Sequence, residues 1–227
     1  MAKLFGIGVG PGDSELLTIK AIRAIENSEV IFAPSAFEGG ESIAYETAKE
    51  YISEDKIVEI IHFPMGKKNT QEKARETYEA IYQYLKKGMN VSFLTIGDPF
   101  VYSTYTHLLN YINERGFEVV TVPGITSFCA SASVANEYLV LGNEPLMVLP
   151  AARLDAVKDE KFLVIMKVYK REEEVVDFLE ANGFDYVYVK KAGRVGEEIL
   201  RDREEIIKNK EYMALILAKK KELAQAI

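Results

Sequence analysis

Glycine, proline, aspartate and hydroxyl-bearing residues gather at three places where an apolar run ends. The first is Gly6-Ile7-Gly8-Val9-Gly10-Pro11-Gly12-Asp13, which closes a strand-like run and leads into helical periodicity. Glycines at such a turn let backbone approach a ligand, and a helix start presents unpaired N–H groups to it. The dinucleotide spacing G-x-G-x-x-G fails here: the third glycine position holds Asp13 counted from Gly8 and Pro11 counted from Gly6. No G-x-x-x-x-G-K-[ST] occurs either. A tight connection without a ligand is the plain alternative.

The second place, Leu94-Thr95-Ile96-Gly97-Asp98-Pro99-Phe100-Val101-Tyr102, runs from a strand into a glycine and then an Asp that the following Pro holds extended. That sets a carboxylate and free backbone groups at a strand's carboxyl end, where open parallel sheets bind ligands. A helix-capping Asp is the competing expectation. The third, Val122-Pro123-Gly124-Ile125-Thr126-Ser127-Phe128-Cys129, makes the same kind of turn, with Thr126 and Ser127 able to cap a helix or meet a ligand. Cys129 reads as a small core residue with no general base beside it. His62 and His107 lack metal-ligand spacing and read as solvated or hydrogen-bonded structural residues, and no G-x-S-x-G elbow is present. Basic clusters stand at Lys67-Lys68, Arg153, Lys167 to Arg171 and Lys190 to Arg194, several of them where strands end; a solvated face or an anionic ligand would explain them.

These turns need strands to hold them. Short β-rich runs at Lys3 to Val9, Glu29 to Ala33, Ile57 to Ile61 and Asn90 to Thr95 alternate with helical stretches. Asp13 or Ser14 offers the first helix cap, Gly88 a left-handed stop after Thr70 to Lys87, and Tyr102 to Glu114 the next helix. A second series begins near Phe117: strands Glu118 to Val122, Pro145 to Leu149, Phe162 to Met166, Tyr186 to Lys190 and Met213 to Ala218, with helices Ile125 to Asn136, Glu172 to Ala181 and Glu204 to Asn209. Alternation of this kind predicts an α/β fold with mostly parallel sheet. We expect two α/β domains, residues 1–116 and 117–227, meeting near Arg115-Gly116 with the active cleft between them.

Composition narrows the function classes. Of 227 residues, 48% are apolar, and 35 acidic against 28 basic groups give a net charge of −7. That balance argues against wholesale nucleic-acid binding, which needs a cationic surface. A single Cys excludes an intrachain disulfide and points to a reducing compartment. The apolar runs fall short of the ~18 residues of a membrane span, and the start lacks a cleavage site, so a cytoplasmic protein is expected.

The Gly-x-Gly-Pro-Gly-Asp start with Leu16-Leu17-Thr18-Ile19-Lys20, the Gly97-Asp98-Pro99 turn and Val122 to Ser127, in that order, resemble the tetrapyrrole (corrin/porphyrin) methylases. Phe63-Pro64-Met65, Leu94 to Ser103, Ser127 to Ala130, Val148 to Ala151 and Ile165 to Val168 are most similar to the branch that methylates C-20 of precorrin-2 or cobalt-factor II. The resemblance implies an S-adenosylmethionine-dependent C-methyltransferase of cobalamin biosynthesis and a homodimer with a small-molecule tetrapyrrole substrate; one Cys and two His alone build no metal cluster, so no metal site is expected. It assigns Pro11, Ile96, Gly97, Asp98, Val101, Tyr102, Thr126, Ser127, Met166 and Lys167 to the donor, and Phe63, Met65, Ser103 and Arg153 to the ring. Members acting on uroporphyrinogen carry a Tyr-Asp pair after the second strand, where this chain reads Phe32-Ala33-Pro34-Ser35. Methylation at another precorrin carbon or of uroporphyrinogen, and a non-catalytic tetrapyrrole carrier, are the alternatives. An acidic chain would repel a ring bearing eight carboxylates, so the basic clusters must compensate locally.

Overall fold

The computed structural model describes residues 2–35, 40–62 and 70–221. The chain forms two compact units that divide between Thr126 and Ser127.

The first unit runs β1 (Lys3–Gly8), α1 (Ile19–Glu26), β2 (Val30–Ser35), α2 (Ile43–Ala48), β3 (Ile57–His62), α3 (Thr70–Lys86), β4 (Val91–Thr95), α4 (Tyr105–Asn113) and β5 (Glu118–Val122). Its sheet has the order β3-β2-β4-β1-β5, and every neighbouring pair is parallel. Helices cover both faces, so the central strands are apolar on both sides. Leu4, Phe32 and Phe93 pack with Ile81 and Leu85 of α3 and Leu108 and Ile112 of α4. Ile7, Ile31 and Leu94 turn the other way, against Ala21 and Ile25 of α1 and Ala44 and Ala48 of α2.

Two local expectations shift. Asp13 caps a 3₁₀ turn at Ser14–Leu16 by accepting from the Glu15 N–H, and Thr18 caps α1 by accepting from Ala21 N–H at 3.1 Å. A Thr followed by a periodic run is the stronger start signal, because its oxygen reaches an orphan N–H of the first turn. The helix expected from Tyr102 starts at Tyr105, because Tyr102 has φ +50°. Gly88, at φ +85°, ends α3 as expected, with Met89 N–H bonded back to Tyr84 O at 3.2 Å.

The second unit contains α5 (Ser127–Ala135), β6 (Leu146–Pro150), β7 (Phe162–Met166), α6 (Glu172–Ala181), β8 (Phe184–Lys190), β9 (Glu198–Leu200), α7 (Arg203–Lys208) and β10 (Ala214–Lys220). Its sheet, β6-β7-β10-β8-β9, is mixed: β6 and β7 are parallel, β10 lies antiparallel between β7 and β8, and β9 is antiparallel to β8. Ile165, Tyr188 and Ile216 face Val175, Val176 and Leu179 of α6 and Ile206 of α7. The buried Tyr188 hydroxyl donates to Asn209 Oδ1 at 3.2 Å, and burial together with the Glu172 charge raises its pKa.

The expected junction at Arg115-Gly116 cuts off β5, which pairs with β1 from Lys3↔Glu118 to Ile7↔Val122. A parallel partner 115 residues away leaves no local mark in sequence, whereas the Gly116 turn does. Cys129, expected in the core, is exposed: Ala130, Ser131, Ala132 and Ala135 take the buried face of α5.

Candidate functional site

All strands of the first sheet end at one edge, and the three glycine turns meet there. Gly8 closes β1 beside Thr95 of β4, and Val9 N–H donates to Thr95 O at 2.9 Å. Beyond it Gly10 and Gly97 exchange bonds, Gly97 N–H to Gly10 O at 2.7 Å and Gly10 N–H to Gly97 O at 3.3 Å. Gly10 and Gly97 have φ of +77° and +70°, the left-handed region that glycine enters at little cost.

The third turn is pressed against the other two. A Cβ at Gly8 would lie 2.5 Å from Gly124 N and 2.6 Å from Gly97 O. One at Gly124 would lie 2.2 Å from Gly97 O and 2.7 Å from Gly8 C. Gly8, Gly97 and Gly124 thus bring three backbones into direct contact above the β4-β1-β5 strands. Asp98 ties them further, with Oδ1 accepting from Phe100 N–H at 2.8 Å and Oδ2 from Gly124 N–H at 3.2 Å. Its carboxylate therefore caps its own turn and clamps the β5 turn at once.

Around this clamp stand the other residues assigned from sequence. Pro11 is buried, Ile96 is half-buried in the α1 core, and Val101 is half-buried with its N–H on Asp98 O at 3.2 Å. Tyr102 is exposed beside the exposed Phe100, whose ring meets that of Tyr105 at 5.9 Å. Ser103 accepts from Tyr105 N–H at 3.1 Å and so braces the start of α4. Thr126 is half-buried after the Gly124 turn. Beneath β1, the Tyr105 phenol fills the space a side chain at Gly6 would take and bonds Thr121 Oγ1 at 2.8 Å. Burial raises the Tyr105 pKa, and the Thr121 bond opposes that rise.

In the second unit, β6, β7 and β8 point one way and bring Pro150, Met166 and Lys190 to one sheet edge. Ser127 is half-buried at the start of α5, and Met166 is half-buried where β7 ends. Lys167 follows exposed at φ +57°, and Lys170 sits with its ammonium over the Tyr169 ring at 5.0 Å. Arg153 is exposed and pairs with Asp155 at 3.2 Å. Lys191 pairs with Glu211 at 3.2 Å and Lys190 with Glu198. Phe63, Met65 and the Lys67-Lys68 cluster lie outside the described residues.

Buried polar atoms without partners single out three residues within the stretches already named. Among the described residues these are His62 Nδ1, Thr95 Oγ1 and Arg194 Nε. His62 ends β3, Thr95 ends β4, and Arg194 follows β8, so each lies at or just past a strand's carboxyl end. Buried polar groups are almost always satisfied, so an unsatisfied one at such an edge calls for a partner, whether water, ion or ligand. His62 is half-buried, and its Nδ1 lacks the hydrogen bond expected of a structural histidine. Thr95 was quoted within its motif, but nothing in its spacing signals an orphaned hydroxyl. Gly8 and Gly124 likewise stood in the motifs without any sign that they touch.

A sequence-family model described as Tetrapyrrole (Corrin/Porphyrin) Methylases matches residues 3–207. The chain is 38% identical over 202 residues to a probable cobalt-precorrin-2 C(20)-methyltransferase of Methanocaldococcus jannaschii, covering 87% of this chain and 86% of that one. It is 32% identical over 189 residues to the cobalt-precorrin-2 C(20)-methyltransferase of Salmonella typhimurium, covering 80% and 79%. Among solved structures, the uroporphyrin-III C-methyltransferase of Thermus thermophilus complexed with S-adenosylhomocysteine matches with a TM-score of 0.74 at 18% identity, covering all of both chains. That likeness establishes the α/β architecture with two sheets.

Proposed function

The chain belongs to the tetrapyrrole (corrin/porphyrin) methylases, and from that premise we propose that it transfers a methyl group from S-adenosylmethionine to C-20 of precorrin-2 or its cobalt-bearing form in cobalamin biosynthesis. The observation that carries this assignment is the 38% identity to a probable cobalt-precorrin-2 C(20)-methyltransferase across 87% of the chain. A second relative with the same activity in its name, at 32% identity, supports it.

The residues at the first sheet's edge fit a donor of this kind. Gly8, Gly97 and Gly124 let three turns pack backbone to backbone at this edge, and Thr95 Oγ1 is a buried hydroxyl left without a partner beside them. S-Adenosylmethionine brings an already activated methyl carbon. This chain's residues must therefore align it with the ring and exclude water, which proximity can supply without a strong catalytic acid. We assign Pro11, Ile96, Gly97, Val101, Tyr102 and Thr126 to the donor, with Asp98 as a positioning residue because both its oxygens hold backbone N–H groups. The resemblance assigns Ser127, Met166 and Lys167 to the donor as well, and Phe63, Met65, Ser103 and Arg153 to the ring. In the reaction the methyl C–S bond breaks, a C–C bond forms at C-20, S-adenosylhomocysteine leaves, and the C-20 hydrogen departs as a proton. The segment Phe32 to Ser35 forms the end of β2 and offers no carboxylate, which favours precorrin-2 over uroporphyrinogen.

A homodimer and a cytoplasmic setting belong to the same proposal, on family likeness and on the lone cysteine. No described helix is long and apolar enough to cross a membrane. The deciding assay offers S-adenosylmethionine with precorrin-2, cobalt-factor II or uroporphyrinogen in turn and reads mass gain, then labelled-methyl NMR. We expect one methyl at C-20 of a precorrin-2-type ring; methylation confined to uroporphyrinogen would refute the assignment.

A further inference from the structure

The basic side chains at the second sheet's edge are mostly committed. Lys190 is held by Glu198, Lys191 by Glu211, Arg153 by Asp155, and Lys210 by the buried Glu172 at 3.0 Å. Arg194 differs. Among the described residues it forms no ion pair, and its Nε is buried without a hydrogen-bond partner. The nearest carboxylate in effect, Glu211, is taken up by Lys191 and by the Met213 N–H at 3.1 Å.

The backbone that carries Arg194 is firmly wound. Its N–H donates to Lys191 O at 2.9 Å, and its carbonyl accepts from Glu197 N–H at 2.9 Å. Gly193 N–H donates to the Glu197 carboxylate at 2.7 Å. Lys191, Gly193 and Gly196 adopt φ of +50°, +73° and +84°, so the segment doubles back tightly. The guanidinium is thus presented from a fixed base rather than from a trailing loop.

A guanidinium cannot lose its proton in a protein, so burial cannot be relieved by neutralisation. Burial depresses the Arg194 pKa, and the Glu211 charge opposes that shift. Such a group is stabilised by an anion, and a carboxylate matches its planar fork with two parallel hydrogen bonds.

We propose that Arg194 is a carboxylate-binding residue, its half-buried guanidinium receiving a ligand carboxylate at the carboxyl edge of the second sheet. The inference rests on the methylase assignment, which supplies two carboxylate sources: the acidic side chains of the tetrapyrrole and the methionine end of the donor. Titrating wild type and Arg194→Gln with S-adenosylhomocysteine by calorimetry, and with precorrin-2 anaerobically by absorbance, separates them. Loss of a charge-assisted hydrogen-bonding partner predicts roughly ten- to hundredfold weaker binding of one ligand and unchanged binding of the other. Weakened precorrin-2 assigns the site to the ring, and weakened S-adenosylhomocysteine to the donor. Arg194→Lys, which keeps the charge and the fold but not the fork, should recover part of the loss; equal affinities in wild type and both variants would overturn the proposal. A wild-type protein that binds neither ligand would instead sink the methylase assignment, and this inference with it.

Discussion

Replacing Gly124 by Ala tests whether the three-backbone contact holds the candidate donor site. The new Cβ would stand 2.2 Å from Gly97 O, 2.7 Å from Gly8 C and 2.8 Å from Gly8 Cα. All three are backbone atoms, so no rotamer change relieves the clash. Reaching even 3.0 Å from Gly97 O requires the β5 turn to retreat by 0.8 Å (3.0 − 2.2). To first order this stretches the 3.2 Å bond from Gly124 N–H to Asp98 Oδ2 to about 4 Å, beyond hydrogen-bond range. Overpacking costs ~1–3 kcal/mol and the lost bond to a carboxylate a further ~1.5–3 kcal/mol, so the variant should lose about 3–5 kcal/mol by urea unfolding. Affinity for S-adenosylhomocysteine should fall at least tenfold. A double-mutant cycle makes the test strict: Asp98→Ala should cost clearly less in the Gly124→Ala background, because the shared bond is already gone. Strictly additive losses, or Gly124→Ala with wild-type stability and donor affinity, would refute the account.

Gly6→Ala should destabilise by about 2–4 kcal/mol, since its Cβ would lie 2.0 Å from Cζ of the fully buried Tyr105; adding Tyr105→Leu should recover part of that loss in urea melts, whereas additivity would show that the ring is not the obstacle. The Tyr186 hydroxyl, pushed up to about 12 by burial and by its 2.7 Å bond to Glu180, favours the protonated folded form. Its unfolded value is 10.0, so its contribution is complete below pH ~10 and is lost as pH climbs towards about 12. Tyr186→Phe should flatten that decline in the urea midpoint; an unchanged slope would exclude Tyr186 as its source.

What was readable in the sequence was local. Strand-to-helix turns at Gly8, Gly97 and Gly124 announced themselves through glycine, proline and the end of apolar runs, and the stop at Gly88 followed from its position after a periodic helix. The contact that fuses those turns was not readable, because Gly8 and Gly124 meet through pairing of β1 with β5 across most of the first unit. The same long-range pairing moved the domain junction past Val122. Asp98 shows the limit within a motif: both the ligand and the capping expectation match its spacing, and the bonds to Phe100 and Gly124 show a brace between two turns that neither expectation contains. Unsatisfied atoms such as Arg194 Nε depend on what fails to arrive beside them, which composition cannot express.

The mutual bonds of Gly10 and Gly97 carry a kinetic consequence. They form an isolated antiparallel bridge just past the parallel β1–β4 ladder, so opening the glycine turn breaks two backbone bonds beside the middle of a sheet buried on both faces. The run 99–104, where Phe100 and Tyr102 stand exposed on a segment without ladder pairing, is then the part of this edge that opens at least cost.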